Sequence, residues 1–596
     1  MRRTISGSLA GLLALSTVVA APGLASAESE DPAPDAAGSV RQQAKKSNKV
    51  KATWDWTMPT FMKDKKTFVP TQDPNSPDYF QGGSYIKGPD GITDKPLKQL
   101  SRYKAAGNAV YGKFPKNGKF QVKLDASKSS GKGKLKCDWK ITADGKTYRR
   151  KNLNCAKKKS VKLPEGRHAL ELQVTDAKGR SETVASHIRV KNVLMAIMGD
   201  SYASGVSIPP FTNPDIKTTP RQVGWDFGPC NRSRWGGFVR GAQALESADK
   251  RSNVTLVDVA CGGAEVREGF IQTLNGKYPS GGILYPQRQI PFDGGAPPTT
   301  NQPAQVEQVN GVTRGAALDA LYLSVGGNDA GLGTVAVACK IEDGLQGKNC
   351  YSEVPFFDAT GTQALWQITD ANLVRLKKSY TKMSRCLKSS GDSGGKACKT
   401  NKLDNNVIAD KPTKTTPITV KKNKSVIHAM YPDLTTTKEN GALAPCSLTN
   451  GESPMNQIDN TWALEQMYLG KSGETITLPT QYSPPLQTPS PATITPQGDG
   501  ILPLIERNGQ RYGWTVADQM YEASRGSGLC APEPWEYGLA TVLNPANNPG
   551  NPGAALHPNA IGQQQYAKML GKQGKKISGI PVSKSSTNVV PDGGLG

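Results

Sequence analysis

Two rhythms of apolar residues divide the chain. Between about 108 and 192, apolar positions alternate with polar ones in FQVKLDAS, LKCDWKI, SVKLPEG, HALELQVTDAKG and ASHIRV. A period of two puts every other side chain on one face of a strand, and Gly, Asp and Lys punctuate the runs as turns. The segment therefore predicts a small β-sandwich. From 193 onward the apolar residues gather into short continuous runs, Leu194 to Met198, Asn253 to Ala260, Asp319 to Val325 and Lys424 to Tyr431. Such runs, rich in β-branched residues, read as strands buried on both faces of a parallel sheet. Helical spacing falls at Trp235 to Ser247, Leu373 to Cys386, Thr515 to Ser524 and Ala560 to Lys572. The alternation predicts an α/β fold, a three-layer α/β/α parallel sheet preceded by the small sandwich.

Weaker patterning bounds these blocks. Residues 28–107 are rich in Pro, Gly, Asp, Lys and Ser and read as an extended or partly ordered arm, of which Trp54, Trp56, Phe61 and Phe68 mark a packed part. Residues 579–596 read as a flexible tail. The expected organisation is a signal peptide at 1–27, the arm at 28–107, the sandwich at 108–192, the α/β domain at 193–578 and the tail. Segments 265–305 and 471–510, rich in Gly, Pro, Gln and Thr, exceed ordinary loop lengths, and long loops near a site often cover it or shape its pocket.

The amino terminus sets the expected compartment. Arg2 and Arg3 precede an apolar stretch from Ile5 to Leu24, and Ala25-Ser26-Ala27 supplies a small-residue cleavage site. No later segment reaches the roughly 18 uninterrupted apolar residues of a membrane span, so a secreted, extracellular product is expected. The 10 cysteines fit an oxidising destination as a disulfide framework. They fall into sequence-local couples, Cys137 with Cys155, Cys230 with Cys261, Cys339 with Cys350, Cys386 with Cys398, and Cys446 with Cys530. Sequence alone does not fix this connectivity, and the middle couples can interchange. From Ser101 to Met195 there are 24 Lys and Arg against 7 Asp and Glu, so most of the chain's +24 sits on the sandwich. Such a field concentrates polyanions, and an anionic cell-wall or membrane surface is the expected partner. Exposed Lys serving solubility is the plainer account of the same charge. Basic residues here lack the interleaved aromatics that stack bases, so no specific nucleic acid is expected.

Candidate chemistry lies where the apolar runs end. MGDSYASG, ACGGAEV and LSVGGNDAG each follow a buried run, which places Ser201, Gly263 and Asn328 at strand ends, and ALHPNAIG carries His557. A serine nucleophile needs a base, and the chain has only 4 histidines. His168 and His187 fall in alternating strands and His428 in a buried run, whereas His557 stands between a Gly/Pro/Asn-rich loop and a helical run opened by Pro558. Each motif alone is ordinary, because Gly-Asp-Ser and Gly-Gly-Asn-Asp are common turns and His-Pro-Asn is a helix start. Their joint order is not.

The four motifs resemble those of the secreted SGNH hydrolases, also called the GDSL esterase and lipase family, across roughly residues 193 to 575. The resemblance implies that Ser201 is the nucleophile, that Gly263 and Asn328 donate with the Ser201 N–H to an oxyanion, and that His557 is the base. The second motif departs from the family form, with Gly262 where a serine is usual. The family's aspartate three residues before the histidine is also absent, because that position is Ala554 and no carboxylate lies between Asn544 and His557. A dyad follows, with the Ala554 carbonyl as the expected orienter of the imidazole. In the sandwich, LDAS and LQVTDAKGR resemble polycystic-kidney-disease (PKD) type immunoglobulin-like domains.

These readings make the expected product a secreted carboxylic-ester hydrolase acting through an acyl-serine, on a lipid, a simple ester or an acetylated glycan. The alternatives are a polysaccharide acetyl-ester esterase and a non-catalytic surface-binding protein with a degenerate site. A serine peptidase fits least, because no G-x-S-x-G elbow surrounds a serine. No metal-ligand cluster or phosphate-cradling loop stands out, so no cofactor is expected, and the chain is expected to be a monomer.

Overall fold

A computed structural model of the chain describes residues 50–59, 118–207, 230–266, 302–343, 349–355, 362–392, 396–404, 411–447, 455–478, 493–538 and 554–578, with a few short pieces between them. The expected signal peptide at 1–27 and the tail at 579–596 lie outside the described residues.

The strands of the two main sheets begin, in chain order, with β1 (Asp55–Thr57), β2 (Ala109–Tyr111), β3 (Lys119–Asp125), β4 (Lys136–Ala143), β5 (Lys146–Asn154), β6 (Lys159–Pro164), β7 (Gly166–Thr175) and β8 (Ser181–Gly199). Then come α1 (Ser201–Ser204), α2 (Gly237–Ala248), β9 (Ser252–Asp258), α3 (Gln305–Thr313), β10 (Ala320–Ser324), α4 (Gly327–Ala330) and α5 (Leu365–Ser384). Further on lie β11 (Leu387–Ser389), β12 (Ile418–Val420), β13 (Val426–Ala429), α6 (Ile501–Tyr512), β14 (Thr515–Ala517), α7 (Gln519–Ser524) and α8 (Ala560–Ser578).

The molecule is mixed α/β around a mixed sheet. Strands β14, β13, β10, β8 and β9 run parallel in that spatial order, with β2 antiparallel on the outer side of β9. The sandwich is antiparallel, with β1, β3 and β6 in one sheet and β8, β7, β4 and β5 along the other. Its core gathers the alternating apolar residues, among them Val122, Leu124, Trp139, Ile141, Leu172 and Val174. Part of the arm belongs here as well. Trp56 is buried in the same core, Trp54 meets Trp139 edge-on with centroids 6.0 Å apart, and β1 pairs with β3.

The expected boundary at 192/193 falls inside β8, which is one continuous strand of 19 residues. Ser181 to Val190 pair with β7 in the sandwich, and Lys191 to Gly199 pair with β9 and β10 in the parallel sheet. Asn192 marks the changeover. Its main-chain N–H donates to Glu165 at 2.9 Å, and its side-chain oxygen accepts from Asn253 at 2.7 Å and Thr255 at 3.0 Å. From Asn192 to Gly199 every residue is buried, as continuous apolarity requires when both faces of a strand are covered.

On β10, Tyr322 donates its hydroxyl to Leu570 of α8 at 2.8 Å. The next residue, Leu323, is level with His428 of β13, whose ring lies 5.5 Å from Tyr380 of α5. One predicted helix is revised. Thr515 to Ala517 pair with β13 as strand β14, and helix begins only at Gln519, because an edge partner outweighs local helical spacing in so short a run. All five local cysteine couples are disulfide-bonded. Among the described residues, no helix is long and apolar enough to cross a membrane.

Candidate active site

Following the parallel strands in space from β9 gives the chain order second, first, third, fourth, fifth. The winding therefore reverses between the first strand, β8, and the third, β10. Open α/β sheets leave a crevice there, outside the carboxyl ends of the strands. Gly199 ends β8 and Ser324 ends β10, so Ser201 and Asn328 emerge into the same crevice.

Local backbone chemistry fixes how Ser201 emerges. Gly199 has φ of +140°, and a Cβ there would stand 2.0 Å from the Ser324 carbonyl oxygen, so only glycine fits. Asp200 caps α1, accepting from the Tyr202 N–H at 3.1 Å, and its other oxygen receives a short hydrogen bond from the Tyr431 hydroxyl. Gln305 clamps the Gly199 peptide, donating to its carbonyl and accepting from its N–H, each at 2.8 Å. Ser201 is then the first residue of a helical turn, where the N–H has no intrahelical acceptor.

The second and third motifs meet this turn. The Cys261 N–H donates to the Gly199 carbonyl at 3.0 Å, and Gly262 donates to Cys230 at 3.0 Å beside the Cys230–Cys261 disulfide. Gly263 follows with φ of +73°, another position for glycine. Neither the Gly263 nor the Ser201 N–H enters a hydrogen bond among the described residues. Asn328 Nδ2 donates to the Ala264 carbonyl at 3.0 Å, and Asp329 accepts from the Val266 N–H at 3.0 Å, so the second and third motifs are stitched together. The amide of Asn328 has a second N–H beyond the one Ala264 receives.

His557 completes the site. Its Nε2 lies 2.6 Å from Ser201 Oγ across 356 residues of sequence. Its Nδ1 lies 2.7 Å from the Ala555 carbonyl, not the expected Ala554 carbonyl, which instead accepts the His557 main-chain N–H at 3.1 Å. The physical reason is the turn. Leu556 sits at φ of +64°, a costly conformation for a branched side chain, and this swings the ring over the nearer carbonyl. A carbonyl only accepts, so Nδ1 carries the proton and Nε2 offers its lone pair to the Ser201 hydroxyl. Three further hydrogen bonds hold the turn. Tyr202 Oη donates to Leu556 O at 2.6 Å, Tyr537 N to His557 O at 2.9 Å, and Leu556 N to Tyr537 O at 2.9 Å.

Electrostatics suit a neutral base. Part of the His557 side chain reaches solvent, yet burial by surrounding protein pushes its pKa down to about 4, against the opposing pull of the Ala555 and Ala554 carbonyls. Burial pushes Asp200 up to about 7 despite its hydrogen bonds from Tyr431 and Tyr202. Glu536 is fully buried, neither of its carboxyl oxygens meets a donor among the described residues, and burial and then Asp433 raise it well above the ordinary range. Its main chain pairs antiparallel with that of Pro558, next to His557.

The other histidines fall where the pattern put them. His168 and His428 are buried in or beside strands and His187 is exposed on β8, and none meets Ser201. Sequence reading missed Gln305, Tyr202, Tyr431 and Glu536, whose roles come from contacts with residues remote in the chain. Among the described residues, no group of three or more His, Cys, Asp or Glu is placed to hold a metal. No family model, no curated protein and no solved structure matches the chain.

Proposed function

We propose that the chain is a serine carboxylic-ester hydrolase, with α/β layers of the kind the SGNH resemblance implies. The observation that carries this reading is the 2.6 Å contact between Ser201 Oγ and His557 Nε2, with Nδ1 held in the productive tautomer by Ala555. Ser201 Oγ attacks the ester carbonyl carbon while its proton passes to His557 Nε2. The carbonyl π electrons move onto oxygen, and that oxyanion accepts hydrogen bonds from the Ser201 and Gly263 N–H groups and the Asn328 amide. The intermediate collapses as the imidazolium returns its proton to the leaving alcohol, giving an acyl-serine. Water then enters by the same steps and releases the acid.

A carbonyl orienter stabilises the imidazolium less than a carboxylate, and burial, the chief cause of the low basicity of His557, works against the imidazolium as well. We take export from the cell, with which the five disulfides are consistent, and contact between the basic sandwich and an anionic surface as parts of the same proposal. The test is turnover of p-nitrophenyl esters of graded acyl length. The reading expects hydrolysis that disappears in Ser201→Ala and in His557→Ala, and hydrolysis unchanged by either substitution would overturn it.

A further inference from the structure

The opposite end of the parallel sheet carries a second concave feature. Asn423 lies shortly before β13 and Trp514 directly before β14, and these residues line a cavity of about 400 Å³ at the amino ends of the strands, the end opposite Ser201. Four cations line it, Arg385, Lys388, Lys396 and Arg511, against one carboxylate, Asp392. That carboxylate is already engaged, accepting from the Ser389 N–H at 3.2 Å. Arg385, Lys396 and Arg511 form no salt bridge among the described residues.

The helix dipole accounts for part of this charge. Arg385 caps the end of α5 and Arg511 lies in the last turn of α6, where cations are favoured. It does not account for two lysines from the β11 region converging on the same hollow. Like charges around one concavity repel, and a cleft of one sign focuses its field on whatever anion enters. The floor is aromatic. Trp514 is buried, and the Arg511 guanidinium lies over the Tyr512 ring, 5.5 Å from its centroid, which holds that fork in place. The Tyr512 hydroxyl is buried with no hydrogen-bond partner among the described residues.

We infer that this cavity binds a phosphate ester, with the phosphate among the two guanidinium and two ammonium groups and the esterified body against Trp514 and Tyr512. Guanidinium forks match phosphate oxygens two at a time, and four cations exceed what a single carboxylate would engage. The inference is independent of the hydrolase reading, because its readout is binding.

The test is calorimetric titration of the full chain with inorganic phosphate, glycerol 3-phosphate, a poly(glycerol phosphate) chain and, as the carboxylate control, acetate. Saturable binding of glycerol 3-phosphate, absent for acetate and weakened at least about tenfold in Arg385→Gln/Arg511→Gln, is expected. Lys396→Gln, at an exposed loop position, repeats the test should the double variant fail to fold. The polymer binding more tightly than glycerol 3-phosphate, and losing affinity with the same variants, identifies a polymeric source. No saturable phosphate binding, or polymer binding that ignores these variants and falls instead in Arg149→Gln/Arg150→Gln of the sandwich, would overturn the inference.

Discussion

Strand β8 serves two environments, and its halves differ as the environments do. From Ser181 to Val190 buried and exposed residues intersperse, and from Asn192 to Gly199 none is exposed. The first half belongs to a sheet with one wet face, so polar side chains cost nothing there. The second half lies between two parallel neighbours and under helices, where each deleted methylene leaves a void. The proposed chemistry sits only at the end of the second half. A packed strand bordered by Gly199 and clamped by Gln305 holds a nucleophile more tightly than a solvated edge would. The sandwich half carries charge instead, with Arg149, Arg150 and Lys151 exposed along edge strand β5.

The largest expected effect tests whether chemistry is confined to that end. Ser201→Ala or His557→Ala should lower kcat by about 10⁴-fold or more, while Arg149→Gln/Arg150→Gln should leave turnover of a soluble ester unchanged. Comparable losses from the sandwich pair would break the division. Next comes packing within β8. Ile197→Ala should destabilise by about 2–5 kcal/mol in denaturant unfolding. Exposed Thr183→Ala should stay within about 0.5 kcal/mol, and equal costs would mean the two halves are not packed differently.

Asn328→Ala should cost about 3 kcal/mol of transition-state stabilisation, roughly 100-fold in kcat with KM near its starting value. A loss appearing in KM alone would remove Asn328 from the oxyanion. The pH profile is a smaller test. In the proposed mechanism His557 acts as a neutral base, and burial pushes its pKa down to about 4, so kcat/KM should rise through about pH 4 instead of near 6.5 and stay high above it. An acid limb at 6.5 would mean that burial does not govern the base.

The smallest effect concerns Glu536, on the neighbouring segment. Its folded pKa is raised, so the folded chain keeps a proton that the unfolded chain releases above about pH 4.3. Stability therefore falls as pH rises through that value. Glu536→Gln should raise Tm at pH 8 and leave it unchanged at pH 4, and a gain equal at both would deny the proton linkage.

Much of this division is written locally in the chain. The run from Leu194 to Met198 reads as doubly buried from its own residues, and Ser201, Gly263 and Asn328 stand at strand ends because the runs before them stop there. His557 emerges by elimination among four histidines. What local pattern does not carry is anything decided by distant partners. Gln305 reaches Gly199 across 106 residues and Tyr431 reaches Asp200 across 231, and no spacing rule links such pairs. The orienting carbonyl moved from Ala554 to Ala555 because a left-handed Leu556 is invisible in a sequence with no glycine at that place. Strand β14 was hidden for the same reason, since three residues of strand next to a helical run declare themselves only through the partner they pair with.

The most direct measurement is labelling of the full chain by a fluorophosphonate, followed by peptide mass mapping. The account predicts one phosphonyl group per chain, on Ser201, with the labelling rate collapsing in His557→Ala while the fold is retained. Modification at a different serine, or a rate indifferent to the loss of His557, would contradict it.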